Sequence, residues 1–541
     1  MTGPLGGRRQ RCDAPARRVR RPGCRPARRR PRRGSARAVG CRLPPRCRSC
    51  TPIVRRIVLD RTSEPPDVHR VSVSRGLVDH NVRVRITFAT AELAPLVSVG
   101  GLAAAASGLV QALRRADVEV DVLLPDYGGV TLDSEERIHL DLPDWAGPGS
   151  IRIGDHPAIG RVHLVDVPGI TRSHPYLQPD GRGWLDNTER FLRFARAVAA
   201  HVDATRPDLV HLNDWHTATA MAAIDASIPS VLSLHNLAHQ GATGAEWIPL
   251  IGERGHHFEW WGGMNPLSGA IALADRIVAV SPNHVGEILT PAGGFGLDGP
   301  LRDRGQAVVG VLNGIDTEVW NPSADPALPA AFSPTDLSGR QASRVALLER
   351  LGFADDGRLL AVCVTRLTDQ KGIDLLEPVV PLLDEFPLRL AVLGSGERDL
   401  ADRLAVLGDR FGDRFAFVEG YDESLAHLMF AGADLFVMPS RFEPCGLAQM
   451  QAMRYGAIPV VTAVGGLVDT VPDAERHPRV GRGFIAPEPS VAALVSTLHR
   501  AVRRCGDRRR LETLRRRVMS VDWSWDAPAA EYRAIYRHLI D

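Results

Sequence analysis

Short apolar runs alternate with helical stretches from residue 82 onward. Residues 82–89 read as a strand, 101–115 as a helix and 118–124 as the next strand, with later strands at 209–212 and 231–234. Strands alternating with helices predict a parallel sheet wound on both sides. The rhythm restarts late in the chain. Residues 359–364, 388–393, 415–418, 435–438 and 458–461 form a second series with helices between them. The predicted class is therefore α/β, with two doubly wound domains joined near 310–340. They should face each other across a cleft that holds ligands at the carboxyl ends of the strands.

Composition changes this picture only at the front. Residues 1–80 hold 22 arginines, no lysine and five acids, and are rich in proline without apolar periodicity over the first 50. Such a segment cannot repay the entropy of ordering and is expected to be disordered. Its irregular arginine, proline and cysteine content reads as translated GC-rich DNA upstream of a start at Val82 or Val84. It is neither serine-rich nor amphipathic, as a transit peptide would be, and no apolar stretch of the kind a secretory signal needs follows the early arginines. Five of the eight cysteines lie here, among them the C-x-x-C pair Cys47 and Cys50. No second pair at ligand spacing accompanies them, so no zinc site is expected.

The overall net charge of +3 averages two unlike parts: the remainder has 44 basic and 58 acidic residues, about −14. That balance argues against a nucleic-acid partner. No apolar run reaches the eighteen residues a membrane helix needs, so no membrane partner is expected. The body has only Cys363, Cys445 and Cys505, which suggests reduced thiols and a cytoplasmic setting.

Candidate chemistry collects at the predicted strand ends. Lys371 is the only lysine beside 65 arginines, in Thr365-Arg366-Leu367-Thr368-Asp369-Gln370-Lys371-Gly372 just after a strand. An ammonium is a compact point charge and a guanidinium a planar fork, so a site that refuses the exchange would keep its lysine. Arg366 and Lys371 then read as an anion clamp, and otherwise Lys371 is a surface lysine. Glu92 to Leu102 ends in the pair Gly100-Gly101, which opens a helix, and Leu393-Gly394-Ser395-Gly396 repeats the arrangement. Glycines admit a ligand to the backbone and helix amino ends attract anions, although ordinary turns look the same. In Pro439-Ser440-Arg441-Phe442-Glu443-Pro444-Cys445-Gly446-Leu447, Glu443 stands at the mouth of the cleft or simply caps the helix. Cys445 has no base close in sequence and reads as an inert thiol.

Taken in order, these segments resemble bacterial glycogen synthases and plant starch synthases over residues 82–541. The resemblance also rests on Asn213-Asp214-Trp215-His216, His235-Asn236-Leu237-Ala238-His239-Gln240-Gly241, Ala279-Val280-Ser281-Pro282 and Gly294-Phe295-Gly296-Leu297-Asp298-Gly299. It continues through Leu312-Asn313-Gly314-Ile315-Asp316, Gly465-Gly466-Leu467-Val468-Asp469-Thr470-Val471 and Asp522-Trp523-Ser524-Trp525. It implies the GT-B arrangement of two Rossmann-like domains, 82–320 carrying the acceptor and 340–521 the nucleotide sugar, with residues 522–541 a helix returning to the first. The implied reaction moves glucose from ADP-glucose to the non-reducing end of an α-1,4-glucan with retention, without a metal or any other cofactor. Arg366 and Lys371 are implied to bind the donor diphosphate and stabilise it as it leaves. Glu443 matches the catalytic glutamate and His235 the histidine beside the reacting glucose. Donor contacts are implied at Gly100, Gly101, Gly394, Gly396, Tyr421, Cys445, Gly446, Leu447 and Thr470, and cleft or acceptor contacts at Asp214, Asn313, Tyr176 and Ser98.

One loop departs from the pattern. The family's K-x-G-G-L has Ser98 in place of the lysine, and its following A-D-V is Ala103-Ala104-Ala105. Losing a charged contact to a phosphate costs about 1.5–3 kcal/mol, roughly ten- to a hundredfold. Two further readings stay open beside the glucan synthase: a related glycosyltransferase with a small or specialised acceptor, and a catalytically silent glucan-binding protein.

Overall fold

The computed structural model describes residues 83–179 and 181–541. The expectations for residues 1–80 lie outside the described residues.

The first sheet has nine strands, ordered Val308–Gly310, Arg276–Ala279, Ser230–Leu234, Leu209–Asn213, Arg85–Ala89, Glu119–Pro125, Gly160–Asp166, Gly149–His156, Asp133–Leu140. From Val308–Gly310 to Gly160–Asp166 the pairing is parallel throughout. Leu209–Asn213 and Ser230–Leu234 are buried at every position, the polar His211, Asn213, Ser230 and Ser233 included, because helices cover both faces of a parallel sheet. The last two strands are antiparallel, an addition absent from the predicted alternation. Asp133–Leu140 is exposed at all but its final residue. Its sequence is charged, which leaves no apolar run to detect and suits an edge that must not recruit another strand.

The second sheet has six strands, all parallel, in the order Phe415–Glu419, Leu388–Gly394, Leu359–Val364, Leu435–Met438, Ile458–Thr462, Phe484–Ala486. Leu435–Met438 and Ile458–Thr462 form its buried centre, which aims the loop 439–447 out of the sheet's carboxyl edge. The chain crosses between the halves twice, and the crossings touch where the Ile315 N–H donates to the Trp523 carbonyl at 2.8 Å.

After the second crossing the helix Asp526–Ile540 packs on the helix Gly101–Arg115 of the first half. It is pinned through a buried polar chain. The Tyr536 hydroxyl lies 2.7 Å from His211 Nδ1, and His211 Nε2 lies 2.7 Å from Ser233 Oγ. Burial pushes His211 down to about 3, so its ring is neutral and needs one donor and one acceptor as neighbours. Tyr536→Phe should therefore cost about 1–3 kcal/mol, the penalty for a buried group left unpaired. The check is the urea midpoint at unchanged slope; an unmoved midpoint would show that the hydroxyl contributes nothing. Among the described residues no helix is long and apolar enough to cross a membrane.

Candidate active site

The carboxyl edges of the two sheets meet around a cavity of about 670 Å3. Gly100, Gly101, Tyr176, Asp214, His235 and Asn313 line it from the first half, and Arg366, Lys371, Glu443, Cys445, Gly446 and Leu447 from the second. Its permanent cations, among the described residues, are Arg366 and Lys371.

The Lys371 ammonium lies 2.6 Å from Glu443 Oε2, with both side chains largely buried. The same oxygen accepts the Ser440 hydroxyl at 3.1 Å. Local structure brings the pair together across 72 residues of sequence. Gln370 accepts the Arg441 N–H at its carbonyl and donates from its side chain to the Phe442 carbonyl at 3.1 Å. Gly372 lets the loop lie this close: its φ is +63°, and a Cβ there would stand 2.1 Å from the Pro439 carbonyl oxygen. On the far side, the Gly466 N–H donates to the Glu443 carbonyl at 3.1 Å. Ser281 of the first half donates to the Pro444 carbonyl at 2.6 Å, so the Glu443 loop is fixed from both halves.

Arg366 differs. Its side chain is exposed and has no hydrogen-bond or ion-pair partner among the described residues, which leaves a guanidinium fork available to an anion.

Across the cavity, Asp214 Oδ1 accepts the backbone N–H groups of His235 at 2.7 Å and Asn236 at 3.3 Å. Asp214 holds a left-handed backbone, φ +52°, which aspartate tolerates better than most residues. Burial pushes its carboxyl up to about 7, against those two donors. Burial also pushes His235 down to about 4, so its ring is neutral at pH 7. The Asn213 side-chain NH2 donates to the Ala89 carbonyl at 2.9 Å, which turns its oxygen toward His235 Nε2 at 2.9 Å. A carbonyl oxygen only accepts, so Nε2 carries the hydrogen and Nδ1 is left as an acceptor.

The glycine loop behaves differently from the expected open amino end. Glu92 Oε2 accepts the N–H groups of Val99 and Gly100, both at 2.8 Å, while Oε1 accepts the Tyr176 hydroxyl at 2.8 Å. A carboxylate of the chain itself thus occupies part of the anion-binding backbone. Glu92 was legible only as the start of the glycine segment, because nothing local says that it folds back seven and eight residues later.

Five of the residues singled out by sequence do not line the cavity. Gly394 and Gly396 flank a turn that binds the Arg366 loop, where the Leu367 N–H donates to the Ser395 carbonyl at 2.8 Å. Thr470 is buried, donating to the Gly466 carbonyl at 2.7 Å and accepting from Gln449 at 3.2 Å. Tyr421 and Ser98 are exposed. Trp215 and His216 do line the cavity, their rings 4.3 Å apart; the sequence showed them only as part of Asn213-Asp214-Trp215-His216. Cys445 is buried and pushed up to about 12 by that burial, an inert thiol.

Among solved structures, the chain is similar to the catalytic domain of starch synthase IV from Arabidopsis thaliana bound to ADP and acarbose. The TM-score is 0.76 at 30% identity, covering 85% of this chain and 99% of that one. It also shares its fold with sucrose-phosphate synthase from Thermosynechococcus elongatus, TM-score 0.55 at 19% identity, over 84% and 99% of the two chains. Two doubly wound halves enclosing one cleft define the GT-B class of glycosyltransferase. Residues 85–303 match the starch synthase catalytic domain and residues 350–516 match glycosyl transferases group 1. The glycogen synthase of Methylocella silvestris is 39% identical over 473 residues, 83% of this chain and 97% of its own. That of Alkalilimnicola ehrlichii is 40% identical over 478 residues, 84% and 99%. The chain belongs to the glycogen and starch synthase family of hexosyltransferases.

Proposed function

We propose that this enzyme transfers glucose from ADP-glucose to the non-reducing end of an α-1,4-glucan, with retention of configuration and without a metal in the reaction, in the cytoplasm. The observation that carries the reading is the cleft, where an unpaired Arg366 and the Lys371–Glu443 pair face Asp214 and His235. In the reaction the bond from glucose C1 to the diphosphate oxygen breaks. A new bond forms from C1 to the acceptor oxygen, whose proton departs. The leaving diphosphate gains negative charge, and two fixed cations favour that state without reorganising. Glu443 stands where a carboxylate would favour positive charge developing on the sugar. His235 offers Nδ1 as an acceptor for a sugar hydroxyl. Residues 82–320 hold the acceptor and 340–521 the donor, whose contacts include Gly100, Gly101, Cys445, Gly446 and Leu447. The domain of the Arabidopsis enzyme that was solved with ADP and acarbose supports both the donor nucleotide and the glucan.

The direct test supplies labelled ADP-glucose and UDP-glucose in parallel, each with glycogen or with small acceptors. Label from ADP-glucose should enter glycogen, released as glucose by an enzyme specific for α-1,4 bonds. Label confined to small acceptors would establish the specialised transferase instead. Ser98→Lys restores the cation that the family pattern has at this position, beside the loop held by Glu92. It should raise kcat/KM with glycogen roughly tenfold; a fall would mean that the loop is shaped for another acceptor.

A further inference from the structure

Behind the first sheet, three side chains from different elements converge. Asp121 comes from the strand Glu119–Pro125, His163 from Gly160–Asp166 and His201 from the helix Asn187–Thr205. One ligand atom of each lies within 4.8 Å of the others. None of the three lines the catalytic cavity. His163 is 5% exposed and His201 2%, yet both ring nitrogens of His201 have no hydrogen-bond partner and His163 Nδ1 makes none of normal geometry, the Val122 backbone being a polar group beside that ring. Buried ring nitrogens are ordinarily satisfied, so an unpartnered pair facing a carboxylate 4.0 Å from His163 Nε2 points to a missing partner.

We propose that Asp121, His163 and His201 bind a divalent transition metal of the zinc type, an ion that ties strand, strand and helix together. The donor set is two imidazoles and one carboxylate, the combination such metals prefer over calcium or magnesium. Burial lowers the pKa of both rings, His163 to about 4, so each is neutral and has a lone pair to give. Ligand atoms at about 2.1 Å from a tetrahedral ion stand about 3.4 Å apart, so modest side-chain rotation closes the cluster. Asp121 is partly exposed, 21% at its side chain, and provides the entry and a place for a water as fourth ligand. Arg114, Arg161 and Arg85 also face the cluster electrostatically. Arg114 donates to the Ile159, Val120 and Arg161 carbonyls, Arg85 to the Thr205 and Arg206 carbonyls and Arg161 to Glu136. Their charge selects against a hard cation held by charge alone.

The test uses the full chain stripped with EDTA. Cobalt(II) titration should produce the visible absorption of a tetrahedral nitrogen and oxygen site, without the near-ultraviolet band of thiolate ligation. Calorimetry with zinc chloride should give one equivalent and a melting midpoint raised by roughly 5 °C at saturation. Asp121→Asn and His201→Gln should each weaken binding by at least about 100-fold, since losing even an outer partner of a ligand costs about 10- to 100-fold. Absence of the cobalt bands and of zinc uptake in the unaltered chain overturns the site and leaves a pair of histidines solvated by water, whether or not the variants fold. Binding undiminished by both substitutions, or a thiolate band, also overturns it, because the ion then sits on the cysteines of residues 1–50.

Discussion

Lys371→Arg should lower kcat/KM by roughly 100-fold although the charge is kept, the loss typical of one misplaced electrostatic contact in a transition state. The ammonium sits 2.6 Å from Glu443 Oε2 in a nearly closed space. A planar guanidinium cannot take that position without displacing the carboxylate. Lys371→Ala goes further, since it removes the cation and strands Glu443 with the Ser440 hydroxyl as its one side-chain partner. Breaking a buried pair from one side costs about 3–5 kcal/mol, so this variant should lose stability as well as turnover. Comparing kcat with donor affinity separates the two roles: stabilisation of a departing diphosphate appears in kcat, uniform binding in KM alone. Near-normal turnover in Lys371→Arg would sink the proposed clamp.

Glu443→Gln should reduce transfer by about 1000-fold or more, at the upper end for loss of a group acting on transition-state charge, while ADP binds at least as tightly as before. The second half of that expectation comes from the ion pair. With the carboxylate neutralised, Lys371 no longer has a competing anion at 2.6 Å and is free for the diphosphate. Calorimetry with ADP measures the binding and single-turnover label transfer the chemistry. Weakened ADP binding together with normal transfer would show that Glu443 serves only to shape the loop.

The strands of the second half could be read directly from sequence, because Leu359–Val364, Leu435–Met438 and Ile458–Thr462 are covered on both faces and are apolar but for Thr462. The helix Gly101–Arg115 was equally plain. The strand Asp133–Leu140 was not: it lies at an edge, faces water and has the composition of a loop. The same contrast holds within the site. A single lysine among 65 arginines set Lys371 apart as a candidate, and the segment around Glu443 marked a strand end.

That these two residues form one ion pair was invisible, since 72 residues separate them and only the parallel register of Leu359–Val364 beside Leu435–Met438 sets their loops side by side. Asp121 meeting His163 and His201 was hidden for the same reason, and Glu92 folding onto the glycine loop seven and eight residues on because no local pattern encodes the turn of that loop. Which segments must be buried, and at which strand ends charged residues wait, can be read along the chain because apolarity and period are local properties. Which of those residues touch cannot. Partnership depends on strand order and on how two sheets meet, and no local pattern encodes either.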